Sequence, residues 1–179
     1  MRPNPAPPPA QTPAAALWLG IAGLLPFVLL AAWRIHDPQG PGIVHIALVA
    51  YGAVILTFVG ALHWGFAMLL PRTSRKEQWL LMGWSTLPAL AAWLAMIVPA
   101  NVDLGLLIAV FWLHYAFDMT VARRRHLPAW YLPLRTLLTL GATLSLLAVL
   151  VFANIPGPSR LLPNGMMIPH PLPPRMQQF

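Results

Sequence analysis

The chain has 179 residues, of which 58% are hydrophobic and 8% are charged, with a net charge of +7 and no cysteine. Soluble domains carry roughly 25% charged residues, so this composition excludes a water-soluble globular fold, and the absence of cysteine excludes disulfide and thiolate chemistry. The cations lie in short connections between apolar runs, where they set orientation, so we predict no nucleic-acid partner. The sequence predicts an all-α integral membrane protein.

The chain divides into three predicted parts. Residues 1–13 hold six prolines and are expected to form a disordered extension, and residues 155–179 form a second proline-rich tail. Residues 14–154 are predicted to form a five-helix transmembrane bundle. About 20 apolar residues suffice to cross a bilayer as a helix. On that criterion the spans lie at about 14–33, 43–70, 79–99, 104–121 and 134–154.

Proline and glycine interrupt several of these elements. In the first span Gly23 and Pro26 predict a kink near the proline, which a neighbouring helix must stabilise by satisfying a freed carbonyl. Residues 71–78 are expected to be a basic loop. Between the last two spans the segment LPAWYLPLR (127–135) has prolines that argue against a simple helix, and its Trp and Tyr suit the lipid headgroup region.

The second span is the most apolar part of the chain, with no Lys, Arg, Asp or Glu among residues 43–70. It carries His63 near its end, and a buried imidazole in lipid must face protein or water. Small residues on the same helical face let another helix approach closely, so His63 is expected to point into the bundle. That face is formed by Gly52, Leu56, Gly60 and Ala67.

A weak internal duplication relates the second and fourth spans. LHWGFAMLLPR (62–72) aligns without a gap to LHYAFDMTVAR (113–123), matching Leu, His, an aromatic residue, Phe, Met and a final Arg. We interpret the bundle as two parallel helix-pair repeats plus a fifth helix.

The basic residues predict the orientation of the five spans. Eight cations fall on the side of the N-terminus and three on the other side. Since positive residues concentrate on the cytoplasmic side, we predict the N-terminus inside and the C-terminus outside.

Several blocks of the sequence resemble a known family. They are GLLPF (23–27), YGAVILTFVGALHWGFAM (51–68), LPALAAWLA (87–95), Asp118 and LPAWYLPLRTLLT (127–139). Together they are similar to the family called domain of unknown function 3429, whose eukaryotic members include transmembrane protein 69. The resemblance covers about residues 17–147. It implies a small multi-span protein of the bacterial inner membrane, with relatives in mitochondria, and brings no established activity.

His63 and His114 are the sharpest candidates for chemistry. Each lies nine residues before an arginine on the cytoplasmic side, Arg72 or Arg123. At about 1.5 Å per residue both imidazoles lie at a similar depth, roughly 13 Å from that boundary. Two such rings on neighbouring helices could ligate haem b or a metal. The alternative is that both make interhelical hydrogen bonds inside a packed bundle.

Asp118 is the acidic residue deepest within a span, one helical turn after His114. It could handle protons together with that histidine, or form a structural ion pair with Arg135 or with one of residues 123–125. His63, His114, Asp118, Arg135 and Tyr51 make up the candidate intramembrane polar site.

These features favour a non-enzymatic role, because no phosphate loop, HExxH or GxSxG motif occurs in the chain. We predict an accessory or assembly partner of a larger membrane complex in the bacterial inner membrane, with the mitochondrial inner membrane as the alternative. The lipid bilayer is the expected surrounding, no cofactor is expected, and the oligomeric state stays open. Two alternatives are a haem- or quinone-binding redox module using His63 and His114, and a small transporter with a proton-coupled Asp118.

Overall fold

The computed structural model describes residues 12–71, 73–125 and 127–153, and within these ranges the regular secondary structure is entirely helical. The predicted tail at 155–179 lies outside the described residues, as does the N-terminal extension apart from residues 12 and 13. Six helical segments are observed: α1 (Ala14–Ala22), α2 (Leu25–His36), α3 (Gly42–Leu69), α4 (Arg75–Ala95), α5 (Val102–Arg125) and α6 (Tyr131–Phe152). The all-α prediction is confirmed.

Four described stretches are long and apolar enough to cross a membrane: residues 14–36, which comprise α1 and α2, and the single helices α3, α5 and α6. The third predicted span, now α4, is not among them. Residues 78–95 of α4 exclude its charged first turn, but Gln78, Ser85, Thr86, Pro88 and three Trp residues keep the mean hydropathy of this stretch low. The protein is therefore a multi-pass membrane protein with four candidate spans by length and composition.

The first span is broken earlier than the predicted kink. Helix α1 ends at Ala22, and Pro26 lies in the first turn of α2. Proline has no N–H to donate to the carbonyl four residues earlier, which here is that of Ala22. The hydroxyl of Tyr51 on α3 donates to the Gly23 carbonyl at 2.8 Å. A neighbouring helix thus satisfies a carbonyl at the break.

The expected loop at 71–78 is shorter than predicted. Helix α4 begins at Arg75, because the Ser74 hydroxyl accepts a hydrogen bond from the Glu77 amide at 3.3 Å. Ser at the N-cap followed three residues later by Glu is a capping-box pattern, which the prediction overlooked. At the other end α4 stops at Ala95 rather than at residue 99, and the amides of Met96 and Ile97 bond carbonyls three residues earlier, the tighter geometry that is common at helix ends.

Helix α6 also begins earlier than predicted, at Tyr131. The prolines of the segment 127–135 do not prevent a helix there. Pro133 lies in the first turn of α6, where a backbone N–H would have no intrahelical partner in any case. As a result Tyr131 is a helical residue whose side chain is buried and bonds Asp118 on α5.

Helix α3 lies at the centre of the bundle and packs against α2, α4 and α5, while α6 packs against α2 and α5. Its predicted small-residue face is buried. A Cβ added at Gly60 would lie 3.1 Å from the Ser85 carbonyl oxygen and 3.2 Å from the Pro88 side chain, and the Ser85 hydroxyl donates to the Gly60 carbonyl at 2.8 Å. Gly60 therefore fixes the close approach of α3 and α4.

Candidate functional site

The structure brings four of the five predicted site residues into one buried cluster. His63 comes from α3, His114 and Asp118 come from α5, and Arg135 comes from α6. Each is at most 5% exposed. We call these four residues the polar cluster. Tyr51, the fifth predicted residue, is not brought into this cluster, and its hydroxyl donates to the Gly23 carbonyl at the break in the first span.

Asp118 is the centre of the polar cluster. Its Oδ2 accepts a hydrogen bond from Arg135 Nε at 2.7 Å, which makes a buried ion pair between α5 and α6. Its Oδ1 accepts a hydrogen bond from the Tyr131 hydroxyl at 3.0 Å. The carboxylate therefore joins the two helices twice. Of the two sequence interpretations of Asp118, this geometry fits the structural ion pair with Arg135.

The hydrogen bonds of His114 fix its tautomer. Trp84 Nε1 lies 3.2 Å from His114 Nδ1, and an indole can only donate, so Nδ1 must be the acceptor. The proton is then on Nε2, which donates to the Val59 carbonyl at 3.3 Å. Both nitrogens of this neutral ring are engaged, and His114 links α5 to α3 and α4.

His63 is fully buried but less well bonded. Its ring packs edge-to-face on His114 with centroids 4.9 Å apart, and Phe66 and Phe117 also contact it. His63 Nε2 lies 3.3 Å from Asp118 Oδ1, outside hydrogen-bond geometry, and neither ring nitrogen hydrogen-bonds to another described residue. The sequence alternatives of haem or metal ligation depend on this ring.

The donor set does not fit a haem or a metal as it is arranged. The two imidazoles touch directly, so no porphyrin plane fits between them. Ligand atoms of His63, His114 and Asp118 lie within 4.8 Å of one another, which is close enough for a metal. However, both His114 nitrogens and both Asp118 oxygens are already bonded, and the Arg135 guanidinium would repel a cation beside Asp118.

Two further pairs of polar side chains lie at helix ends and were missed in the sequence. Asp103 at the start of α5 lies 2.7 Å from His45 Nε2 on α3. Arg125 at the end of α5 pairs with Glu77 in the first turn of α4 through both carboxylate oxygens. Neither pair is signalled by spacing, because the partners lie on different helices.

Two cavities flank the polar cluster. One, of about 520 Å³, lies between α4 and α5, and His114 and Trp84 are among its walls. The other, of about 530 Å³, lies between the first span, α3 and α6, and is lined by Tyr131, Arg135 and Thr139 among apolar residues. We call the second one the α6 cavity.

Tyr131, Trp84 and Thr139 are the residues of this region that sequence reasoning did not assign to the site. Tyr131, Arg135 and Thr139 are spaced by four residues on α6, so helical periodicity could have grouped them on one face. Trp84 has no such signal, because its partner His114 lies on another helix.

Comparison with known proteins places these residues in context. The model of a family described as protein of unknown function (DUF3429) matches residues 12–151. Transmembrane protein 69 of Xenopus tropicalis is 37% identical over 150 residues, which cover 81% of this chain and 57% of that protein. Transmembrane protein 69 of Mus musculus is 29% identical over 154 residues, which cover 84% and 62%. The chain thus spans less than two thirds of either relative. No solved structure matches it.

Proposed function

Because this chain belongs to the DUF3429 family of proteins of unknown function, as its motifs predicted, we propose its role from its own residues. The proposed function is that of a non-enzymatic accessory or assembly partner of a larger membrane complex. The burial of the polar cluster supports this, since Asp118 and His63 are fully buried and a substrate could not reach them.

The observation that carries the proposal is the outward face of α4. This helix packs on α3 and α5, and its opposite side exposes Trp79, Leu87 and Leu90 around Gly83 and Thr86. A Cβ added at Gly83 would meet no atom of the described residues within 4 Å. Small residues in a membrane helix allow close approach of a second helix. The occupant we propose for this face is a transmembrane helix of another subunit.

The hydropathy of α4 supports the same occupant. It is the long helix whose composition falls short of a candidate span, in contrast to α3, α5 and α6. Ser85 and Trp84 bond residues inside the bundle, but Thr86 is exposed on the outer side, where protein covers a polar side chain better than acyl chains do.

Gly83→Leu tests the proposal in the full chain. The variant should leave the isolated bundle intact or stabilise it by about 0.5–1 kcal/mol, because it removes a glycine from a helix interior without a clash. In membranes extracted with mild detergent it should convert a larger assembly, seen on a native gel, to the free bundle. Gly105→Leu on α5, which also has no atom within 4 Å of an added Cβ, is the matched control. The proposal fails if the wild type migrates as the free bundle.

We also propose that α4 is the fifth span, which gives two parallel helix-pair repeats plus α6. Its 21 residues extend about 32 Å at 1.5 Å per residue, which matches a hydrocarbon thickness of about 30 Å. The contact between the aligned residues His63 and His114 supports the repeat interpretation. With five crossings the excess of cations on the N-terminal side gives the N-terminus inside and the C-terminus outside.

A reporter that is active only outside the cytoplasm tests this topology when it is fused after Phe179. Five crossings predict an active fusion. Four crossings would leave both termini on the same side, so a silent but well-expressed fusion would contradict the proposal.

The membrane we propose is the bacterial inner membrane, with the mitochondrial inner membrane as the alternative. Support comes from the family resemblance and from the concentration of cations on one side of the bundle. Separation of native membranes by density should place the protein with inner-membrane markers. Its recovery with outer-membrane markers would contradict this.

A further inference from the structure

The α6 cavity has an apolar body and opens toward lipid. Its volume of about 530 Å³ lies within the usual range for sites that bind small molecules. Phe27 and Phe111 line it and are almost fully buried, while Leu19 and Phe58 line it and are mostly exposed. The exposed pair belongs to helices that are long and apolar enough to span the membrane. A ligand would therefore enter from the bilayer.

Two residues on its wall, Arg135 and Thr139, each carry a hydrogen-bond donor that has no partner among the described residues. The donors are Arg135 Nη2 and Thr139 Oγ1. Both atoms are covered in this conformation, so a ligand reaches them after a side-chain rotation, and both residues are at least 95% buried. They lie one turn apart on α6 and both line the cavity. The next threonine on this helix differs, because the Thr143 hydroxyl donates to the Thr139 carbonyl at 2.8 Å. In a bilayer, where no water competes, an unbonded donor favours a ligand that supplies an acceptor.

The charges around the cavity favour a neutral ligand. Among the described residues that line it Arg135 is the one cation, and its charge is paired with Asp118 at 2.7 Å. A carboxylate or phosphate on the ligand would add an anion that has no counter-charge in a low-dielectric site. A carbonyl oxygen adds no charge and has two lone pairs, enough for both donors.

We propose that the α6 cavity binds a neutral, membrane-dissolved molecule whose polar end is a carbonyl oxygen, held by Thr139 and Arg135. This site is separate from the proposed subunit contact, because no residue of α4 lines it. It is also separate from a redox module at His63 and His114, neither of which reaches it. The carbonyl can come from a quinone ring or from the ester of a neutral glyceride.

Ligand-dependent thermal unfolding of the purified full chain in detergent tests the site. The probes are ubiquinone-1, which has ring carbonyls, dioleoylglycerol, which has ester carbonyls, and squalene, which has none. A carbonyl probe that binds should raise the unfolding midpoint with saturation, because it stabilises the folded state alone. A response to ubiquinone-1 assigns a quinone ring, and a response to dioleoylglycerol assigns an ester. Squalene should give no saturable rise.

Thr139→Val removes the hydroxyl donor and keeps the shape of the side chain, so it tests ligand binding without disturbing the fold. The Thr139 hydroxyl has no partner among the described residues, so this variant should unfold at or above the wild-type midpoint. It should nevertheless bind the carbonyl probe about tenfold more weakly, as expected for one lost hydrogen bond. Thr143→Val is the matched control and should keep the wild-type affinity for the probe.

A second variant covers the case in which the Thr139 change alters the helix. Leu138 lines the cavity and is half-buried, so Leu138→Trp should fill the space and abolish the probe response. Equal affinity of the wild type and Thr139→Val would overturn the proposal. So would an equal response to squalene, or a saturable response to neither carbonyl probe.

Discussion

Two aspartates on α5 are held in different ways. Asp103 lies in the first turn, where its Oδ1 accepts hydrogen bonds from the amides of Asn101 and Leu104, and its Oδ2 pairs with His45. Asp118 lies deep in the same helix, and its carboxylate accepts hydrogen bonds from the Arg135 and Tyr131 side chains of α6. Both carboxylates are buried, but only the first is stabilised by its own helix N-terminus.

The difference shows what a carboxylate requires at each depth of a membrane bundle. At a helix start, free backbone amides supply hydrogen-bond donors, and the helix dipole favours a negative charge. In the interior the backbone is already paired, so donors must come from other helices. Asp118 therefore couples the position of α6 to that of α5, whereas Asp103 mainly caps its own helix. The following predictions test this contrast, from the largest effect to the smallest.

Asp118→Asn should have the largest effect on the fold. It leaves the buried Arg135 guanidinium without a counter-charge, which is expected to cost about 3–5 kcal/mol. Folded yield and the thermal unfolding midpoint in detergent measure the loss. Asp103→Asn is the matched control and should cost about 1 kcal/mol, because an amide oxygen still accepts from the two backbone amides. Normal yield of Asp118→Asn together with lost cellular function would instead favour proton handling.

Gly60→Leu should separate α4 from α3 and so disturb the interior cluster rather than the pair at Asp103. The added side chain meets the Ser85 backbone and the Pro88 ring, and overpacking of this kind costs about 1–3 kcal/mol. Gly65→Leu on the same helix meets no atom within 4 Å at its Cβ and should be neutral or slightly stabilising. Equal unfolding midpoints for the two variants would show that α4 does not pack on α3 at Gly60.

Trp84→Phe should have a moderate effect. The variant keeps an aromatic ring on Phe117, against which the indole stacks with centroids 4.2 Å apart, but removes the donor to His114 Nδ1. The loss of one hydrogen bond to a buried acceptor is expected to cost about 1 kcal/mol. Trp93→Phe, at an exposed position of α4, serves as the control and should leave the unfolding midpoint unchanged.

Glu77→Gln should have the smallest effect. It breaks the ion pair with Arg125 at the ends of α4 and α5, and partly exposed pairs contribute about 0–1 kcal/mol. Because salt screens such a pair, the difference from the wild type should vanish at high ionic strength. The cost of Asp118→Asn should persist at the same salt concentration. A salt-resistant cost at Glu77 would remove the distinction between interior and boundary pairs.

Much of this arrangement could be predicted from the sequence, because a polar side chain within a long apolar run must face protein or water rather than lipid. His63, His114, Asp118 and Arg135 were identified on that basis and lie together. Tyr51, which was grouped with them, lies apart from these four residues. It precedes His63 by twelve residues, about 18 Å along one helix, so the two side chains could not share a site.

Other features could not be predicted because they depend on helix starts and on contacts between helices. The burial of Tyr131 and its bond to Asp118 depend on α6 beginning before Pro133. Trp84 bonds His114 through a contact that no periodicity along α4 reveals. The capping pattern at Ser74 and Glu77 was readable from the sequence, and it would have shortened the predicted loop and moved charge into α4.

The most direct test of the buried ion pair between α5 and α6 is a double-mutant cycle on Asp118 and Arg135. The free energies of unfolding of Asp118→Asn, Arg135→Met and the double variant are compared with that of the wild type. If the two side chains form one buried pair, the double variant should be more stable than the sum of the single losses predicts, with a coupling of about 2–3 kcal/mol. Single losses that add without coupling would contradict the account, because α5 and α6 would then be held together by apolar packing alone.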